Sequence, residues 1–339
     1  VTVIQFLRRP GNGRFSIERI FADVRARLPE RVRCRAVVSR YESRGFWPRV
    51  GAILEAARSA ADVYHVTGDV HYLTYLLPKS RTLLTVHDCA SLHRLTGWRR
   101  ALVRFFWFWV PLRRAGLVSA ISEFTKGELV SLVGGDPAKI RVIPNPVSDS
   151  FRASPRPLRA ERPVVLHVGA TPNKNLARVA EALRGVPCRL RVVGETRPED
   201  LRALEASGVE FSRAGELEAA ALVREYEECD LLVFASTYEG FGLPILEAQA
   251  VGRPVVTSAL APMSEVAGGA ACLVDPFSVE SIRAGVLRVI ADAGYREDLV
   301  RRGFLNAQSH RAEKIAARYV ALYDELSGAV RGGATPCAA

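Results

Sequence analysis

The sequence predicts an α/β protein built from two doubly wound parallel-sheet domains that face one another across a cleft. Three observations carry this expectation. Short runs that are apolar throughout alternate with longer amphipathic stretches along the whole chain, the pattern of parallel strands covered on both faces by helices. Pro144, Pro146, Pro155, Pro157 and Pro163 crowd 20 positions and forbid a regular helix there. The charge changes sign at the same place. Residues 1–162 carry 28 Lys and Arg against 13 Asp and Glu, a net +15, whereas residues 163–339 carry 19 against 23, a net −4.

The chain opens with an apolar run at 1–7. Arg8 and Arg9 follow it, the wrong side for a secretory leader, so the run is expected to be a buried strand and no signal peptide. A glycine-bearing turn leads to a helix from Ser16, a suitable N-cap. Further strands are expected at 36–39, 62–66, 82–86, 117–121 and 141–143, with helices near 48–60, 98–114 and 122–132. The first domain thus covers 1–147, and 148–162 reads as a linker. In the second domain, 163–310, strands at 163–168, 188–193, 230–235 and 254–257 alternate with helices at 174–184, 198–207, 216–227 and 244–251. The tail from 278 to 327 is nearly all helical in pattern, and a last helix, 311–330, is expected to cross back and brace the first domain.

Composition removes several classes. With 339 residues, 48% hydrophobic, the chain can bury two cores and is not disordered. The most membrane-like stretch, 105–112, is far shorter than the roughly 20 residues a spanning helix needs. Six cysteines form no Cys-x-x-Cys pair, which suits free thiols in a reducing cytoplasm. The twelve aspartates include no Asp-x-Asp pair, so no metal site that clamps a diphosphate between carboxylates is expected. The basic first half implies an anionic partner, whether nucleic acid, membrane surface or anionic substrate.

One segment carries most of the chemistry. An apolar strand ends at Ala235, a loop with Gly240 and Gly242 follows, and Pro244 occupies the first turn of a helix. Glu239 then lies in the loop and Glu247 in the helix. The backbone amides of Gly240, Phe241, Gly242 and Leu243 lie at the helix mouth, an arrangement suited to a diphosphate. Carboxylates beside an anion site make sense where the ligand also offers hydroxyls, as a sugar does.

Glu239 and Glu247, set in Tyr238-Glu239-Gly240-Phe241-Gly242-Leu243-Pro244 and the helix after it, resemble the signature of retaining nucleotide-sugar glycosyltransferases of the GT-B fold. The segments 252–258 and 271–276, His167 with Gly169, Lys174 with Asn175, Ser122 with Thr125, and 143–147 extend the likeness to glycosyltransferase family 4. The resemblance implies metal-independent transfer of a hexose from a nucleotide-diphosphate sugar with its anomeric configuration retained. It implies that Glu247 holds the ribose hydroxyls and Glu239 the donor sugar near the reacting carbon; Lys174 is the candidate cation for the phosphates, and Asn175 is a further donor-binding candidate. Members often carry an arginine just before this lysine; here the residue is Asn173.

In the first domain, Gly13 and Arg14 resemble the family's glycine-rich loop, which approaches donor or acceptor. His87 ends a strand, where the resemblance implies a catalytic contact; an imidazole satisfied by its neighbour Asp88 is the structural alternative. His65 and His71 flank another strand end and are candidates for acceptor binding. Residues 98–114 mix arginines with Trp and Phe, which suits either a helix lying on an anionic bilayer or a core helix fringed with charge. The acceptor expected is a glycan, a lipid-linked molecule or another anionic acceptor, and the location cytoplasmic, peripheral on the inner face of a membrane. The rival readings are a nucleic-acid-binding protein, against which no recognised module appears, and a sugar-nucleotide binder without turnover. No cofactor is expected beyond the nucleotide sugar as co-substrate.

Overall fold

The computed structural model describes residues 1–8, 16–41 and 45–331. The chain divides into two compact units, Val1–Pro146 joined by the segment from Ala312 onward, and Val147–Arg311. Each contains one six-stranded sheet.

In the first unit the strands are β1 (Thr2–Leu7), β2 (Arg33–Val38), β3 (Val63–Val66), β4 (Thr82–Val86), β5 (Leu117–Ala120) and β6 (Ile140–Val142). They run parallel in the order β2-β1-β3-β4-β5-β6. The second unit holds β7 (Val164–Val168), β8 (Arg189–Val193), β9 (Glu210–Ala214), β10 (Leu231–Phe234), β11 (Val255–Ser258) and β12 (Cys272–Val274). These too are parallel, in the order β12-β11-β10-β7-β8-β9. Strand order reverses between β7 and β10. The carboxyl ends of those two strands therefore open a crevice that neither crossover covers.

Central strands such as β3, β4, β5 and β10 are buried at every position, which is why they read as mostly apolar runs without a charged residue. The edges were harder to see. β2 starts at Arg33 and is largely exposed, β9 carries Glu210 and Arg213, and β12 has three residues. An edge strand satisfies its backbone on one side only and keeps polar side chains, so its hydrophobic signal is weak.

The proline-rich segment, 148–162, read as a linker, is part of the second unit and packs against it. Phe151 is buried with its ring edge-on to Tyr226, 5.4 Å between centroids, and the Ser154 amide donates to the Val251 carbonyl. Arg156 and Arg159 both reach Asp230, whose side chain is wholly buried. Proline excludes regular helix, not burial, and a buried carboxylate requires such partners.

The helix Ala312–Arg331 belongs to the first unit and buries Tyr319 and Tyr323 there. The Tyr323 hydroxyl meets Gln5 Nε2 at 3.1 Å and His65 Nδ1 at 2.8 Å. Burial, helped by His87, lowers the His65 pKa to about 3, and burial with Lys174 lowers that of His167 to about 4. Unfolded histidine titrates near 6.5, so the unfolded chain binds more protons below that pH and the native state loses stability as pH falls from about 6.5 toward 4. Melting temperature should drop across this window, and a His65→Gln variant should show a shallower drop. An identical slope in that variant removes His65 from the account.

Candidate active site

Lys174 and Glu239 come together at the crevice between β7 and β10. The backbone leaving β7 passes Gly169, at φ 90°, where an added Cβ would stand 2.8 Å from Lys174 Cε. Only glycine lets the lysine stem lie there. A 3-10 turn, Pro172–Lys174, then carries the lysine across, with its ammonium 4.5 Å above the Phe234 ring centroid at the end of β10. Lys174 Nζ lies 2.7 Å from Glu239 Oε1, and both side chains are largely sheltered, at 18% and 14% exposure. Asn173 joins them: its Nδ2 donates to the Tyr238 carbonyl at 2.9 Å and to Glu239 Oε1 at 3.2 Å, and its own carbonyl accepts the Thr237 amide at 2.8 Å.

The loop closes into the helix Leu243–Val251, which has Pro244 in its first turn and Gly242 at φ 112° before it. No side chain caps this helix, Pro244 has no N–H, and the Ile245 amide turns back to the Gly242 carbonyl. Phe241 is buried, 6.2 Å from the His310 ring. Glu247 is half-buried on the same helix and accepts a 2.6 Å hydrogen bond from the Tyr226 hydroxyl. Burial and the neighbouring carboxylate raise the Tyr226 pKa well above its usual value, so the phenol stays a donor.

Several expectations need revision. Asn175 adopts φ 65°, its buried Nδ2 donates to the carbonyls of Ala235 and Pro276 and its Oδ1 accepts from Arg178, so its side chain is engaged in tying the turn to the strand ends. His65 lies within β3, fully buried, with Nδ1 on Tyr323 and Nε2 on Thr85. His71 is 2% exposed in the turn His71–Tyr75, with Nδ1 on the Trp107 carbonyl and its ring against Trp107 and Phe108. Neither histidine is open to an acceptor; both fill the core of the first unit. His87 follows β4 and its Nε2 donates to the Thr67 carbonyl at 2.7 Å, not to Asp88. A carbonyl can only accept, so Nε2 carries a proton in that bond and Nδ1 is the ring nitrogen left for another partner. Gly13 and Arg14 lie outside the described residues.

Residues 97–114 form a continuous helical stretch with a π-helical segment at Arg104–Trp109. It is two-faced. Phe108, Pro111 and Leu112 are buried, while Trp98, Leu102, Phe105 and Phe106 are exposed. Exposed Phe46 adds to that apolar surface across a groove of about 370 Å³, which Tyr72, Leu102, Phe106 and Trp107 help line.

Residues 1–151 match the model of "Glycosyltransferase Family 4" and residues 162–292 that of "Glycosyl transferases group 1". The O-antigen chain mannosyltransferase B of Escherichia coli is 27% identical over 295 residues, 78% of this chain and 74% of that one. Further relatives, among them mannosyltransferases and D-inositol 3-phosphate glycosyltransferases, are matched over 17% to 60% of their own length. Among solved structures, a sucrose-phosphate synthase from Thermosynechococcus elongatus superposes with a TM-score of 0.76 at 19% identity, covering 97% of this chain and 99% of that one. HepE of Anabaena, determined with UDP and glucose, superposes with a TM-score of 0.75 at 17% identity, covering 95% and 98%. The chain belongs to the glycosyltransferases, with a GT-B fold in which a family 4 domain is followed by a group 1 domain.

Proposed function

We propose that this glycosyltransferase moves a hexose of mannose or glucose type from a nucleotide-diphosphate sugar to a glycan or lipid-linked acceptor, with retention and without a metal, in cell-surface polysaccharide or glycolipid synthesis. The observation that carries the reading is the Lys174–Glu239 pair at the switch point of the second sheet. As the donor breaks, negative charge grows on the diphosphate and positive charge on the oxocarbenium-like sugar. A fixed ammonium suits the first and a fixed carboxylate the second. The amides of Gly242 and Leu243 face the diphosphate, Glu247 with Tyr226 behind it holds the ribose, and His87 serves the reacting sugar and acceptor. The mannosyltransferase relatives and the UDP and glucose bound by HepE support this assignment.

A thermal-shift panel of UDP, GDP, ADP and their hexose conjugates tests it, since stabilisation follows ligand concentration over dissociation constant. One nucleotide and its sugar conjugate should raise the melting temperature. In Lys174→Ala the diphosphate should lose at least tenfold in affinity while the bare nucleoside loses little. Equal losses remove the phosphate role, and silence across the panel removes the donor assignment.

The acceptor side of the proposal places the enzyme on an anionic membrane surface. No described helix is long and apolar enough to cross a membrane. Exposed Trp98, Phe105 and Phe106 stand instead beside Arg99, Arg100 and Arg104, aromatic side chains suited to an interface and cations suited to anionic headgroups. The protein should sediment with anionic but not neutral vesicles at low salt, and the Arg99, Arg100 and Arg104 to Gln variant should bind them more weakly. Indifference to anionic vesicles refutes the membrane role and leaves the transferase intact.

A further inference from the structure

We propose that Asn173 is the positioning residue that keeps Glu239 aimed at the donor sugar after Lys174 has turned to the diphosphate; the inference rests on the donor-site reading above. Glu239 Oε1 receives two donors, Lys174 Nζ at 2.7 Å and Asn173 Nδ2 at 3.2 Å. They are not equivalent. An arriving diphosphate competes for the ammonium, because a charged donor gains most from a charged acceptor. The neutral amide gains less from phosphate and stays. Without it, a carboxylate only 14% exposed would lose its remaining partner and swing.

Asn173 is itself immobilised. Its Oδ1 accepts from Thr171 Oγ1 at 2.8 Å, its Nδ2 also serves the Tyr238 carbonyl, and its backbone carbonyl takes the Thr237 amide. Beside the Lys174–Glu239 pair and the Asn175 bond to Ala235, Asn173 thus helps stitch the turn after β7 to the loop after β10. An arginine in this position would add a second cation for phosphate; asparagine supplies direction without charge. Glu239 Oε1 is then fixed from behind, and Oε2 is presented to a sugar hydroxyl.

The test is the ratio of dissociation constants for a nucleoside diphosphate and its sugar conjugate, using whichever pair from the panel stabilises the parent protein. Asn173→Ala should shift this ratio against the sugar conjugate by about tenfold, with the diphosphate alone held within twofold. Asn173→Asp has the same shape but sets a second carboxylate against Glu239, and should shift it further. Asn173→Gln, which keeps the amide, should recover part of the loss. A purely structural role would weaken both ligands together and leave the ratio unmoved. Glu239→Ala separates the two claims. If Glu239→Ala leaves the ratio unchanged, the reading of Glu239 is wrong. If it moves the ratio and Asn173→Ala does not, the role given to Asn173 is wrong. Combining the two substitutions should add nothing beyond Glu239→Ala, and full additivity also overturns the coupling.

Discussion

Replacing Glu239 with glutamine is expected to lower sugar transfer by about 10²-fold or more, while affinity for the nucleoside diphosphate stays within a few-fold. The two side chains have the same shape, and the glutamine carbonyl can still accept from Lys174 and Asn173, so the loop between β10 and its helix keeps its course. On the proposed reading, what disappears is the negative charge beside the carbon on which positive charge grows. In a sheltered site, where water cannot substitute, that charge acts mainly on the transition state. Lys174 is also released from its ion pair, which favours the diphosphate if it changes binding at all. Initial rates with the donor chosen by thermal shift, together with calorimetry of the diphosphate, check both halves. A rate within twofold of the parent overturns the role of Glu239.

The second large effect concerns stability. Asp230 has a fully buried side chain and accepts from Arg156, from Arg159 and from the Val164 amide at 2.7 Å. Removing both arginines leaves the carboxylate inside without its counter-charges, a loss of about 3 kcal/mol or more. Asp230→Asn should cost less, because Arg156 and Arg159 are 30% and 49% exposed and can turn to water. Urea unfolding of Arg156→Ala/Arg159→Ala beside Asp230→Asn measures the asymmetry. A loss under about 1 kcal/mol for the double variant would show that the arginine partners of Asp230 contribute little to the stability of the second unit.

The strand-to-helix junctions that carry Glu239, Glu247 and Lys174 were legible in the sequence because backbone punctuation surrounds them. Glycines and a proline mark where a buried strand turns into a helix, and these side chains sit at fixed distances from those marks. The partners of these residues were not legible. Tyr226 reaches Glu247 from a helix 21 positions earlier, and Asn173 reaches Glu239 across 66 positions. No local pattern encodes such meetings; the register of the sheet does. His65 shows the same limit in reverse. It lies inside the strand that its apolar neighbours announced, yet its polarity suggested a ligand. Its partner Tyr323 lies 258 positions away. A histidine in a buried strand needs hydrogen-bonding neighbours for both ring nitrogens; Thr85 of the adjacent strand supplies one and the returning helix the other.

That returning helix also orders events on the ribosome. The second unit begins and ends at one spot, where Val147 bridges to Arg311 and its amide donates to the His310 carbonyl. It is an insertion into the first unit's chain. At roughly 5–20 residues per second, the strands made earliest wait on the order of ten seconds or more for Tyr319 and Tyr323 to emerge. Over that interval the second unit can close by itself, while Gln5 and His65 lack the phenol that will satisfy them. The first unit, begun before the second, is therefore finished after it. A nascent chain stalled before Ala312 holds one complete unit and one open core, the form that a chaperone would be left to shield.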